Sequence, residues 1–253
     1  MPDLSTKEGN KLEPEYIVVR QRAGPLTKVM VTDAYWYRRY GPGAAQKRCR
    51  PAFYRTEIDK AELKAALFGY DGVLYTFTFM DEFLPEEHAE VKRLWTNYMI
   101  RLKRCIGFTP EYLYRIEHRH GDGRWHIHAF FRYRDCPSAV VASLWPWGHV
   151  DDEVWNRKRL LSKDPKTGKV CGYRALAMYF TKEQPEKLGW HAVQPSRGLA
   201  GTIPLPEVRA SKSPRIWVPP GAVCLDHSRS EVPEMRDWGM FGYQKYLAPE
   251  KRN

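Results

Sequence analysis

Between residues 59 and 107 the apolar positions follow the periods of regular structure. DKAELKAALFG, from Asp59 to Gly69, predicts a short helix that Asp59 caps and Gly69 ends. GVLYTFTF, from Gly72 to Phe79, is rich in aromatic and β-branched residues and predicts a strand. Its alternation puts Leu74, Thr76 and Thr78 on one face and Val73, Tyr75, Phe77 and Phe79 on the other, with one face in the core. Pro85, Glu86 and Glu87 mark the start of a longer helix. In it Val91, Leu94, Trp95, Tyr98, Leu102, Cys105 and Ile106 recur at three-to-four spacing as far as Gly107, and Lys92, Arg93, Arg101, Lys103 and Arg104 fall mainly on the other side.

Two strand-like runs follow in EYLYRIEHRHGDGRWHIHAFFRYR, and Asp122-Gly123 between them predicts a hairpin. WPWGHVDDEVW, Trp145 to Trp155, reads as a turn and another strand. The polar loop SKDPKTGK leads to a helix over roughly Tyr173 to Gln184. These elements outline one main domain over residues 59–200. Residues 1–58 read as an N-terminal extension, partly disordered, with a polar tail before residue 15 and an exposed aromatic cluster, YWYRRYGPG, at Tyr35 to Gly43. From residue 190 onward prolines are frequent, so residues 201–253 read as a Pro-rich C-terminal extension of irregular structure.

Composition narrows the class. With 253 residues, 43% hydrophobic and 28% charged, the chain is neither a disordered polymer, a collagen nor a coiled coil. Lys and Arg number 41 against 30 Asp and Glu, a formal net charge of +11, and 13% of residues are aromatic. Cationic excess favours a phosphate backbone through counterion release, and aromatic faces add base stacking when the strand is single. The five cysteines are scattered, with no CxxC pair, which points to free thiols rather than a disulfide framework or a cysteine zinc site. No run is apolar enough to span a bilayer, and MPDLSTKEGNKLEPE lacks the apolar centre of a signal peptide, so the expectation is a cytoplasmic protein with no membrane partner.

Four of the eight histidines fall between positions 118 and 128. His126 and His128, one residue apart in a strand, project from the same face, a metal-ligand geometry. If Asp122 and Gly123 are the two loop residues, Glu117 lies opposite His128 and Arg119 opposite His126. That register adds a carboxylate to the two imidazoles and leaves His118 on the other face; a one-residue slip would pair His118 with His126 instead. Two histidines and a carboxylate suit a divalent ion that also holds a phosphate, Mg2+ or Mn2+, and zinc stays open. Later, Tyr179 and Lys182 in YFTK stand three apart on one helix face.

In sequence order, LYTFTF at Leu74 to Phe79, HIH at His126 to His128 and YFTK at Tyr179 to Lys182 resemble the three motifs of the HUH endonuclease superfamily. The resemblance is particularly to rolling-circle replication initiators of single-stranded DNA phages and plasmids. WPWGHV at Trp145 to Val150 and SRGLAG at Ser196 to Gly201 are similar to segments of the filamentous-phage and microvirus members. The resemblance covers roughly residues 70 to 200. It implies an α+β fold, a central antiparallel sheet with flanking helices like the RNA-recognition fold. It also implies a nickase in which Tyr179 attacks a phosphodiester of single-stranded or hairpin origin DNA, forming a 5′-phosphotyrosyl link and a free 3′-hydroxyl. His126, His128 and Glu117 would hold the metal, and Lys182 would position the phosphate or assist Tyr179. Tyr173, six residues before Tyr179, does not share its helix face, which favours a single-tyrosine site. A single-tyrosine HUH transposase and a non-catalytic single-stranded DNA-binding protein are the alternative readings. No GxxxxGK[ST] occurs, so unwinding and synthesis would fall to a host helicase and DNA polymerase.

Overall fold

A computed structural model describes residues 15–35, 37–39, 56–118, 124–165, 168–181, 193–229 and 240–249. The strands in chain order are β1 (Tyr16–Ala23), β2 (Leu26–Asp33), β3 (Gly72–Phe77), β4 (Tyr112–His118), β5 (Trp125–Arg132), β6 (Val150–Trp155), β7 (Gln194–Pro195), β8 (Glu207–Ser211), β9 (Val223–Arg229) and β10 (Met240–Leu247). The helices are α1 (Thr56–Ala66), α2 (His88–Ile106), α3 (Ser138–Ser143), α4 (Arg157–Leu160), α5 (Gly172–Thr181) and α6 (Arg197–Ala200). The chain is α+β, as expected, with two antiparallel five-stranded sheets ordered β6-β3-β5-β4-β7 and β8-β1-β2-β10-β9.

The first sheet is covered on both faces, and this is why β3 and β5 are apolar almost throughout. Val73, Tyr75 and Phe77 of β3 and Ile127, Ala129 and Phe131 of β5 pack against Val91, Leu94, Trp95, Tyr98 and Leu102, the predicted apolar stripe of α2. Phe77 sits at the centre, its ring centroid 4.9 Å from Trp145, 5.1 Å from Tyr98 and 5.4 Å from Trp95, all edge-on. Gly107 ends α2 with φ 82°, and its N–H donates to the Lys103 carbonyl at 2.9 Å. On the opposite face Leu74, Phe130 and Leu113 pack with Tyr173, Leu176 and Phe180 of α5 and with Phe68 after α1. The alternation of β3 is therefore as predicted, but both of its faces are core.

WPWGHV clips onto the end of β3. Trp145 Nε1 donates to the Thr78 carbonyl at 2.9 Å, and the Thr78 N–H donates to the His149 carbonyl at 2.9 Å. A β-carbon on Gly148 would lie 2.0 Å from the Thr78 carbonyl oxygen, so only glycine permits this approach. SRGLAG is tied to the other side of the sheet: the Ser196 N–H donates to the Tyr112 carbonyl at 2.8 Å, and the Tyr112 N–H donates to Ser196 Oγ at 3.2 Å.

The terminal regions depart from expectation. Instead of irregular structure they supply the whole second sheet: β10 pairs with β2, and β8 with β1. Among the described residues several of the prolines that suggested irregularity stand just before these strands: Pro206 precedes β8, and Pro219 and Pro220 precede β9. Aromatic cluster residues Trp36 and Tyr40 to Gly43, the run Lys47 to Arg50 and the hairpin loop at Asp122 and Gly123 lie outside the described residues. Cys105, Cys136, Cys171 and Cys224 are free thiols. Among the described residues no helix is long and apolar enough to cross a membrane.

α1 lies between the sheets and carries a buried carboxylate. Glu62, fully enclosed, receives Lys28 Nζ of β2 at 2.7 Å and Lys245 Nζ of β10 at 2.9 Å. One turn earlier Asp59 meets Lys28 at 3.1 Å and Arg174 of α5 at 3.6 Å. Burial alone would raise the Glu62 carboxyl, but the two ammoniums outweigh it and hold the pKa at about 2, against an ordinary 4.5. Burial likewise pulls the Lys245 ammonium down, and Glu62 opposes that.

A carboxyl depressed in the folded state adds stability above pH 4.5 and loses it as pH falls towards 2. Glu62→Gln strands the buried Lys245 ammonium and leaves Lys28 only Asp59, and is expected to cost about 3 kcal/mol at neutral pH. Urea unfolding of wild type and variant should show that difference shrinking between pH 4.5 and 2.

Candidate active site

β5, the middle strand of the first sheet, divides its side chains between two environments. Ile127, Ala129 and Phe131 enter the α2 core, so His126 and His128 must project to the α5 side. Their rings are nearly parallel, 11° apart, with centroids 6.4 Å from each other. Glu117 projects beside them from β4, and Tyr179 arrives from α5 above.

The hairpin register differs by two residues from the one expected. Glu117 lies opposite His126 and Arg115 opposite His128, where the two-residue turn placed Glu117 opposite His128 and Arg119 opposite His126. Among the described residues this register runs as far as the pair His118 and Trp125. A shift of two returns every side chain to its predicted face. Glu117 therefore still joins the histidines, and His118 lies on the other face with its ring centroid 4.3 Å from Trp125.

His128 is the centre of the contacts. Its Nε2 is 2.9 Å from Glu117 Oε2, and its Nδ1 is 3.1 Å from Thr76 Oγ1 on β3. Tyr179 Oη stands 3.2 Å from Nδ1 and 3.3 Å from Nε2. An ionised carboxylate only accepts, so Nε2 carries the proton donated to Glu117 and Nδ1 accepts from a hydroxyl, Thr76 or Tyr179. His128 and Glu117 are both buried, at 5% and 7% exposure, while Tyr179 is half-buried. A phenol, an imidazole and a carboxylate thus form a contiguous chain in which the third group orients the second.

Two residues the sequence reading did not select complete the site. Thr76 was assigned its face but no role. Arg115 is buried beside His128, and its guanidinium donates to the Phe180 carbonyl at 2.7 Å. That carbonyl belongs to the last turn of α5, where a cation opposes the negative end of the helix dipole. Arg115 so ties the end of the helix bearing Tyr179 to the strand bearing Glu117. The signal was available: an arginine two residues before Glu117 in a strand shares its face.

Among the described residues no three His, Cys, Asp or Glu side chains converge tightly enough to grip a metal ion as they stand. Two imidazoles and a carboxylate on one face are nonetheless the right donor types for a divalent ion, and Glu117 Oε2 and His128 Nε2 already meet at 2.9 Å. To share an ion they would exchange that hydrogen bond for it. Lys182 lies outside the described residues.

Tyr173 is separate from the site. It is fully enclosed, and its hydroxyl donates to the Gly69 carbonyl, while burial pushes its phenol above the ordinary range. No protein-family model, no curated protein and no solved structure matches the chain.

The two tyrosines should respond differently to loss of their hydroxyls. Tyr173→Phe removes a part-buried hydrogen bond from a fully enclosed ring and is expected to destabilise by about 1 kcal/mol, whereas Tyr179→Phe should stay within about 0.5 kcal/mol. Denaturant unfolding of both variants measures this.

Proposed function

We propose that the protein is a replication initiator of the HUH type, nicking single-stranded origin DNA for rolling-circle replication. The observation that carries this reading is the contact of Tyr179 Oη with His128 beside Glu117, which unites segments some fifty residues apart around a nucleophile. The net charge of +11 and the antiparallel sheet with helices on both faces agree with it.

In the reaction Tyr179 Oη attacks the scissile phosphorus. The P–Oη bond forms as the P–O3′ bond breaks, and the departing O3′ takes up a proton to become the 3′-hydroxyl that primes synthesis. The phenol proton has an acceptor at His128 Nδ1, and the imidazolium formed is offset by Glu117. His126, His128 and Glu117 would hold Mg2+ or Mn2+, which when bound supplies Lewis-acid polarisation of the phosphate. If His128 lent a ring nitrogen to such an ion, its imidazole would no longer be free to take the phenol proton, which would then pass to solvent. Because one phosphodiester is exchanged for another, the bond energy is kept and the same residues can rejoin ends. Arg115 positions the helix that carries Tyr179, and Lys182, three residues after Tyr179 in sequence, would position the phosphate or assist Tyr179. Unwinding and extension are left to a partner helicase and polymerase.

The test is a denaturing gel of protein incubated with labelled single-stranded DNA and Mn2+ or Mg2+. Wild type is expected to give a shifted covalent band that a chelator removes. Tyr179→Phe should abolish it, and His126→Ala with His128→Ala should weaken it by at least about tenfold to a hundredfold. Strand binding without an adduct in wild type, origin DNA included, would leave a non-catalytic binding protein.

A further inference from the structure

The row of side chains through His128 continues past β3 to the edge of the sheet. Asp151 of β6 lies opposite Thr76, which lies opposite His128, which lies opposite Arg115. Next along β6 on the same face is Glu153, opposite Leu74. Here a cleft of about 280 Å³ opens, lined by Leu74, Thr76, Asp151, Glu153, Trp155 and Tyr179 among others. It shares Thr76 and Tyr179 with the candidate active site.

The chemistry of this cleft is opposite to that of the chain. The protein carries +11, yet the carboxylates of Asp151 and Glu153 face the cleft from β6, and the one arginine lining it, Arg159, is engaged by Glu153 at 2.7 Å. Such a lining repels a phosphate backbone. It offers exposed carboxylates, which only accept hydrogen bonds, together with apolar walls from Leu74, Ala175 and the Tyr179 ring. Trp155 is 4% exposed, and its indole Nε1 has no hydrogen-bond partner among the described residues, so the wall holds a donor without an acceptor. The Arg159 guanidinium lies 5.1 Å from the centroid of that indole ring.

We infer that this cleft receives one unstacked nucleobase of the strand beside the scissile phosphate and selects bases with an exocyclic amino group. The inference rests on the reading of Tyr179 as attacking single-stranded DNA. An unpaired guanine, adenine or cytosine presents two amino hydrogens to Asp151 or Glu153; thymine has no amino group, and its single N3–H donor lies between two carbonyls that the carboxylates repel. The volume, at the low end for ligand pockets, suits a single base and excludes a duplex.

The experiment selects a random single-stranded DNA pool on the Tyr179→Phe protein, so that no strand is cut, and sequences what is retained. The retained motif should contain a position where thymine is depleted about tenfold or more. Asp151→Asn with Glu153→Gln, at two exposed positions, should bring thymine there to within about threefold of the other bases and leave the rest of the motif unchanged. A motif with no thymine-depleted position, or one that the double variant leaves unaltered, overturns the inference while strand binding stands. Failure of the Tyr179→Phe protein to retain any strand overturns the nicking reading and this inference with it.

Discussion

The middle strand of the first sheet has to satisfy two incompatible surroundings, and the candidate site depends on how it does so. β5 is paired on both edges and covered on both faces, so none of its polar side chains has water to itself. Burying an imidazole in such a position is tolerable only when both nitrogens find partners. His128 finds them in Glu117 on one neighbouring strand and in Thr76 on the other, with Tyr179 closing over the ring. Aromatic packing beneath, where Phe77 and Ile127 are completely enclosed, prevents the strand from turning its histidines inward.

Helix α5 is the second element that this arrangement requires, and it is fixed at both ends by charge. Arg174 near its start pairs with Asp59, and the guanidinium of Arg115 caps the carbonyl of Phe180 near its end. Between them Leu176, Ala177 and Phe180 bury the helix against the sheet and α1. The ion pairs of α1 extend the linkage to the second sheet through Lys28 and Lys245. The site thus draws part of its rigidity from strands that contribute nothing to its chemistry.

Much of the first sheet was legible in the sequence because its elements are local. The α2 stripe, the alternation of β3 and the pairing of the two histidines on one face follow from periods of 3.6 and 2, which need no knowledge of the partner. Glu117 was assigned to the correct face by the wrong register, since a two-residue shift preserves alternation. Arg115 went unselected because its role exists only once α5 is docked, sixty-five residues away in sequence. The second sheet was missed in part for a similar reason. Its β1–β2 hairpin is local and went unread, whereas the β1–β8 and β2–β10 pairings that close the sheet span the chain, and the prolines before β8 and β9 mimic the composition of an irregular tail.

That long-range pairing bears on how the protein is made. β2 is a largely buried strand, with Val29 and Val31 almost wholly enclosed, and one of its two edges belongs to β10. On a ribosome β2 emerges before every other described element except β1, while β10 follows all of them. Through that interval the apolar edge of β2 stays open to any other strand, a hazard for aggregation. Loop closure over so long a span is also slow, so the second sheet should form last and be the step at which a nascent chain most needs a chaperone.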